Sequence, residues 1–146
     1  MEGRKGEERM SILKLVLAWG GSFSVFLAMD SIWLGVLARD FYRTRLATVI
    51  DMHVNLPAAA VFYILHVIGV MFFVTVPAVQ AGSGAVSVMI RGALYGFFTY
   101  ATYDLTNLAT VRHWPVQLVM VDIAWGALLN AVVAVAGVAV LRRLQQ

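Results

Sequence analysis

Residues 115–141 read PVQLVMVDIAWGALLNAVVAVAGVAVL, an apolar run whose single charge is Asp122. Such a run exceeds the roughly 20 residues that an α-helix needs to cross a ~30 Å hydrocarbon core. Residues 12–38, 56–79 and 86–110 form three more apolar stretches of comparable length. Lipid offers backbone groups no partners, so each stretch must satisfy its own N–H and C=O groups as a helix. The ten-residue alternation of a membrane barrel does not recur. The expected fold is an all-α integral membrane protein, an antiparallel bundle of four transmembrane helices. It forms a single domain over residues 11–146, behind a solvated tail at residues 1–10.

Composition agrees. Of 146 residues, 61% are hydrophobic and 13% charged, against roughly half and a quarter in soluble domains. Asn55 is placed to cap the second helix, with Pro57 in its first turn, and Pro115 stands where the fourth begins. Residues 80–84, QAGSG, supply a turn between helices two and three. The first apolar run is longer than the core of a signal peptide, so it is expected to be retained. An even number of spans puts both termini on one side. That side carries Arg4, Lys5, Arg9, Lys14, Arg91, Arg142 and Arg143, against Arg39, Arg43, Arg45 and Arg112 on the other. The excess of basic residues predicts cytoplasmic termini.

The chain has no cysteine, which excludes disulfides, thiolate nucleophiles and cysteine-ligated metal or iron–sulfur centres. Its net charge of +3 is spread around apolar segments, unlike the basic stripe of a nucleic-acid surface. Membrane lipids are expected partners, nucleic acid is not, and no cofactor is predicted.

Three aspartates stand out. At ~1.5 Å per residue, Asp30 falls roughly 7 Å from the midpoint of its span, and Asp104 and Asp122 roughly 9 Å from theirs, all displaced toward the same side. Three helices thus each contribute a carboxylate to one layer. An aspartate near a helix centre costs about 2.5–3.5 kcal/mol to insert, so the three should face one another or a wet cavity. Neighbours three and four residues away share a helix face. Asp-x-x-Trp occurs twice, as Asp30/Trp33 and Asp122/Trp125, and Asp104 has Tyr100 and Asn107 beside it, with Tyr103 adjacent in sequence.

The third helix also carries Tyr95, Thr99, Thr102, Thr106 and Thr110, which suggests the central position. Its Gly92 and Gly96 form a Gly-x-x-x-Gly pair able to admit a neighbouring helix. His66 lies near the midplane of the second helix, one turn from Tyr63. A histidine satisfied by a single hydrogen bond is the plainer expectation there. Trp114 suits a membrane interface. An alternative account of the aspartates is a buried salt-bridge layer with Arg39, Arg112 or His113. A metal site is disfavoured, because no His-x-x-x-His or Glu-x-x-His spacing occurs.

Long strings support a family resemblance: Asp30-Ser31-Ile32-Trp33-Leu34-Gly35, Ala38-Arg39-Asp40-Phe41-Tyr42, Asn55-Leu56, Phe62-Tyr63, residues 95–110 (YGFFTYATYDLTNLAT), Trp114-Pro115 and Asp122-Ile123-Ala124-Trp125-Gly126. Through them the chain resembles the bacterial predicted-membrane-protein family labelled domain of unknown function 2177. The resemblance implies a bacterial cytoplasmic (inner) membrane location and supplies no reaction. Its signature residues coincide with the aspartate layer, and Arg39, Asp40 and Tyr42 extend that layer into the first loop.

The ligand-binding candidates are Asp30, Trp33, Arg39, Tyr100, Tyr103, Asp104, Asn107, Asp122 and Trp125, followed by Asp40, Tyr42 and His66. No catalytic residue is assigned. Carboxylates among aromatics point to binding or transport of a small cationic or hydrogen-bond-donating ligand, and four short helices suggest a homo-oligomer. The alternatives are a membrane-embedded enzyme acting on lipids, for which no catalytic motif is present, and a non-catalytic assembly subunit.

Overall fold

The computed structural model describes residues 11–47, 49 and 54–146, so the expected tail at residues 1–10 lies outside the described part. Helix α1 (Ile12–Ile32) continues through a π-helical turn, Trp33–Leu37, and is followed by a short helix α2 (Arg39–Leu46). Helix α3 (Leu56–Val70) continues through a second π-turn, Met71–Thr75, into α4 (Val76–Gln80). Helices α5 (Ala85–Thr110) and α6 (Val116–Gln145) complete the chain.

Local chemistry accounts for the boundaries. The side chains of Ser11 and Asn55 accept hydrogen bonds from the backbone N–H groups of Lys14 and Ala58, at 3.3 and 3.1 Å, and so cap α1 and α3. The second π-turn precedes Pro77, which has no N–H and whose ring crowds the carbonyl four residues back. Widening the helix there, with Val76 N–H bonded to the Met71 carbonyl, keeps the rod continuous. Gly82 turns the chain between α4 and α5 at φ 61°, a conformation that glycine adopts without strain.

Among the described residues, three helical bodies are long and apolar enough to cross a membrane: Ile12–Leu37, Leu56–Gln80 and Val116–Gln145. The expectation was four. Helix α5 has the length, 26 residues, but Arg91, Asp104, Asn107 and its threonines dilute its apolar character. The expected first loop also contains a helix. α2 lays Phe41, Tyr42 and Leu46 against Trp114, Leu118 and Val119, and Arg45 ties it to Gln117 at 2.7 Å.

The central helix is α6, not α5. Leu118, Leu129, Asn130, Val133, Ala134, Gly137 and Leu141 of α6 are buried along its length, and α1, α3, α4 and α5 all pack on it. The threonines of α5 misled because they need no neighbour. Thr99, Thr102, Thr106 and Thr110 each donate to the carbonyl four residues back, at 2.5–2.9 Å, so a hydroxyl row can face outward.

The α5–α6 contact depends on glycine. A Cβ on Gly96 would lie 2.0 Å from the Gly126 carbonyl oxygen, and one on Gly92 would lie 2.5 Å from that of Asn130. As positions rise along α5 their partners on α6 fall, so the two helices run antiparallel. Gly137 does the same service for α1 and the second π-turn: its Cβ would meet the hydroxyls of Ser22 and Thr75 at 2.5 and 3.1 Å.

Candidate functional site

The aspartates converge where α1, α2, α3, α5 and α6 meet, around a cleft of about 560 Å3. Asp30 is buried and accepts two hydrogen bonds, from Tyr63 Oη at 2.6 Å and from Trp125 Nε1 at 3.1 Å. Asp122 is half-buried and accepts from the Tyr42 hydroxyl, which in turn accepts from Trp33 Nε1 at 3.2 Å. The indoles of Trp33 and Trp125 stack with centroids 4.4 Å apart and planes at 7°.

The repeated Asp-x-x-Trp motif therefore works across helices. Trp125 of the α6 motif serves Asp30 of α1, and Trp33 of the α1 motif reaches Asp122 of α6 through Tyr42. Antiparallel packing makes this exchange natural, because a residue three positions on from one aspartate arrives level with the other. Phenols and indoles are the partners of Asp30 and Asp122, while Arg39, Arg112 and His113 are exposed. Trp114 does not sit at an outer interface as expected; it is buried against Leu46, Leu118 and Val119.

Asp104 is fully buried behind this wall. Asp122 and the Trp114 indole stand beside it, yet neither carboxyl oxygen of Asp104, nor the Trp114 N–H, has a partner at hydrogen-bonding geometry among the described residues. A buried carboxyl without partners is costly, and its neighbour is another carboxyl.

His66 lies at the inner end of the cleft. Its Nε2 is 2.8 Å from Asn130 Oδ1, and Asn130 Nδ2 donates to the Gly126 carbonyl at 2.8 Å. Since that carbonyl can only accept, the Asn130 oxygen faces the ring, and His66 carries a proton on Nε2. Tyr100 lies flat over Gly126, where an added Cβ would come within 2.2 Å of its ring. Tyr42 lies on α2, outside the apolar helices; burial first, and then the hydrogen bond to Asp122, push its phenol above the usual range. It stays a proton donor.

The cleft brings together Asp30, Tyr42, His66, Tyr100, Tyr103, Asp122 and Trp125, with Trp33 stacked behind. It does not include Arg39 or Asp40, both exposed on the first turn of α2, nor Asn107, which lies one turn beyond the cleft on α5. Tyr63 and Asn130 were missing from the candidate residues. Tyr63 was legible as a neighbour of His66 on one helix face, whereas nothing local marks Asn130 within its apolar run.

The chain matches, over residues 15–139, the model of the family described as "Predicted membrane protein (DUF2177)". It belongs to that family. The match covers α2–α5 and most of α1 and α6, so the cleft of this DUF2177 chain lies wholly within the family region. Neither a curated protein nor a solved structure matches the chain.

Proposed function

We propose that this DUF2177 protein is a four-span protein of the bacterial cytoplasmic membrane, with both termini in the cytoplasm, that binds and transports a small cationic or hydrogen-bond-donating ligand at its aspartate cleft. Counting α5 as the fourth span rests on its antiparallel packing along α6. A helix pressed against a spanning neighbour through Gly92 and Gly96 shares its depth, and its hydroxyls are satisfied within the helix.

The observation that carries the function is the charge pattern of the cleft. Asp30 and Asp122 line it together with Tyr63, Tyr100 and Trp125, and among the described residues no lysine or arginine does. Ionised carboxylates in lipid call for a counter-charge, and aromatic faces favour cations. A volume of about 560 Å3 suits a small organic ligand.

Purified protein tests this directly. Short alkylammonium ions should protect it against thermal unfolding, since a ligand at a hundredfold excess over its Kd adds about 2.7 kcal/mol. Asp122→Asn should abolish the protection. If proteoliposomes move none of these ions and Asp122→Asn leaves protection unchanged, the proposal fails.

A further inference from the structure

We propose that the ligand is a long-chain amine, an ammonium head on a hydrocarbon tail without phosphate, which enters the cleft sideways from the bilayer between α3 and α5. The inference rests on the proposed binding function and specifies its substrate class and route.

The first observation is the opening. Helices α3 and α5 both pack on α6, and the cleft is lined by Ala58, Ala59 and Phe62 of the one and by Thr99 and Tyr103 of the other. Phe62 of α3 and Tyr103 of α5 form the facing rims and are 49% and 59% exposed. These positions lie one to three turns inside their helices, at a depth where an exposed side chain of a spanning helix meets acyl chains instead of water.

Above the aspartates stands helix α2. Helix α2 packs on Trp114, Leu118 and Val119, and its Tyr42 caps Asp122. Phe62 and Tyr103 thus mark an exposed edge of the cleft at the depth of the acyl chains.

The walls grade from apolar to charged along this route. Phe62, Ala58 and Leu34 line the outer part, and Asp30, Asp122 and Trp125 the inner part. An amphiphile matches that gradient, with its tail left among the rim side chains and its head among the carboxylates. The head should be cationic, because carboxylates repel anions and, among the described residues, no lysine or arginine lines the cleft to hold a phosphate.

The test uses the full chain in phosphatidylcholine nanodiscs doped with octadecylamine, octadecanol or N-acetyl-octadecylamine, with bound amphiphile read by native mass spectrometry. Octadecylamine should be retained about tenfold over both neutral analogues, and Asp30→Asn should remove that preference. The neutral analogues probe the head group without altering the protein, so the comparison stands even if the variant misfolds. Equal retention of all three would overturn the inference. Butylamine protecting the protein against heat as well as octadecylamine does would also overturn it, while leaving the binding function intact. Binding of neither amine would overturn both.

Discussion

Helix α5 has two unlike sides. Toward α6 it presents Gly92 and Gly96 and comes so close that a single added carbon would overlap a backbone carbonyl. Toward α3, at the level of Thr99 and Tyr103, it borders an open cleft of about 560 Å3. Glycine lets two helices meet by their backbones, where dispersion and weak polar contacts accumulate. Tyrosine, tryptophan and aspartate hold helices apart, because rings need room and carboxylates need donors. The same bundle is thereby closed along its glycine seam and open at the aspartate cleft.

The contrast can be broken most severely at the seam. Gly96→Val should cost about 3 kcal/mol or more, because its Cβ would lie 2.0 Å from the Gly126 oxygen and that backbone atom cannot swing aside. Denaturant unfolding in detergent measures the loss. A stable Gly96→Val protein would show that the seam is not tight.

A smaller effect is expected at the roof of the cleft. Tyr42→Phe removes the donor to Asp122 and should cost about 1 kcal/mol near neutrality. Its phenol is held above the ordinary value of 10.0 by burial and by Asp122, so the folded state binds that proton more tightly than the unfolded chain. The resulting stability is fully present below about pH 10 and is lost as the pH rises beyond it. Stability measured across the alkaline range should therefore fall less steeply in Tyr42→Phe than in the parent. Parallel curves would show that Tyr42 does not carry this linkage.

The smallest effect belongs to the open side. Ala59→Leu adds volume to the cleft wall, where space exists, and should change stability by no more than about 0.5 kcal/mol. A loss comparable to that of Gly96→Val would mean that α3 and α5 are as tightly fitted as α5 and α6.

Much of the architecture was legible from local pattern. Helix boundaries at Asn55 and Pro115 followed from capping chemistry, and the Gly92/Gly96 pair pointed to a close helix contact. The convergence of Asp30, Asp104 and Asp122 followed from counting residues along helices that alternate in direction. Less was legible where a residue's role depends on another helix. The threonine row of α5 suggested a central helix, and only the intrahelical hydrogen bonds show why Thr102, Thr106 and Thr110 can stand exposed. Arg39 and Asp40 are adjacent in sequence to the site motifs, yet the π-turn at Trp33–Leu37 and the start of α2 leave them exposed.

Sequence by itself determined that this chain belongs in a membrane, since hydropathy and the need to satisfy backbone groups in lipid act locally. It likewise determined that carboxylates from three helices share one depth, because rise per residue is a property of the helix alone. The tertiary structure decided that α6 is the centre, that each Asp-x-x-Trp tryptophan serves the other helix's aspartate, and that Tyr63 and Asn130 hold Asp30 and His66. Those outcomes depend on rotation and spacing between helices, set by where glycines allow contact and aromatic rings prevent it.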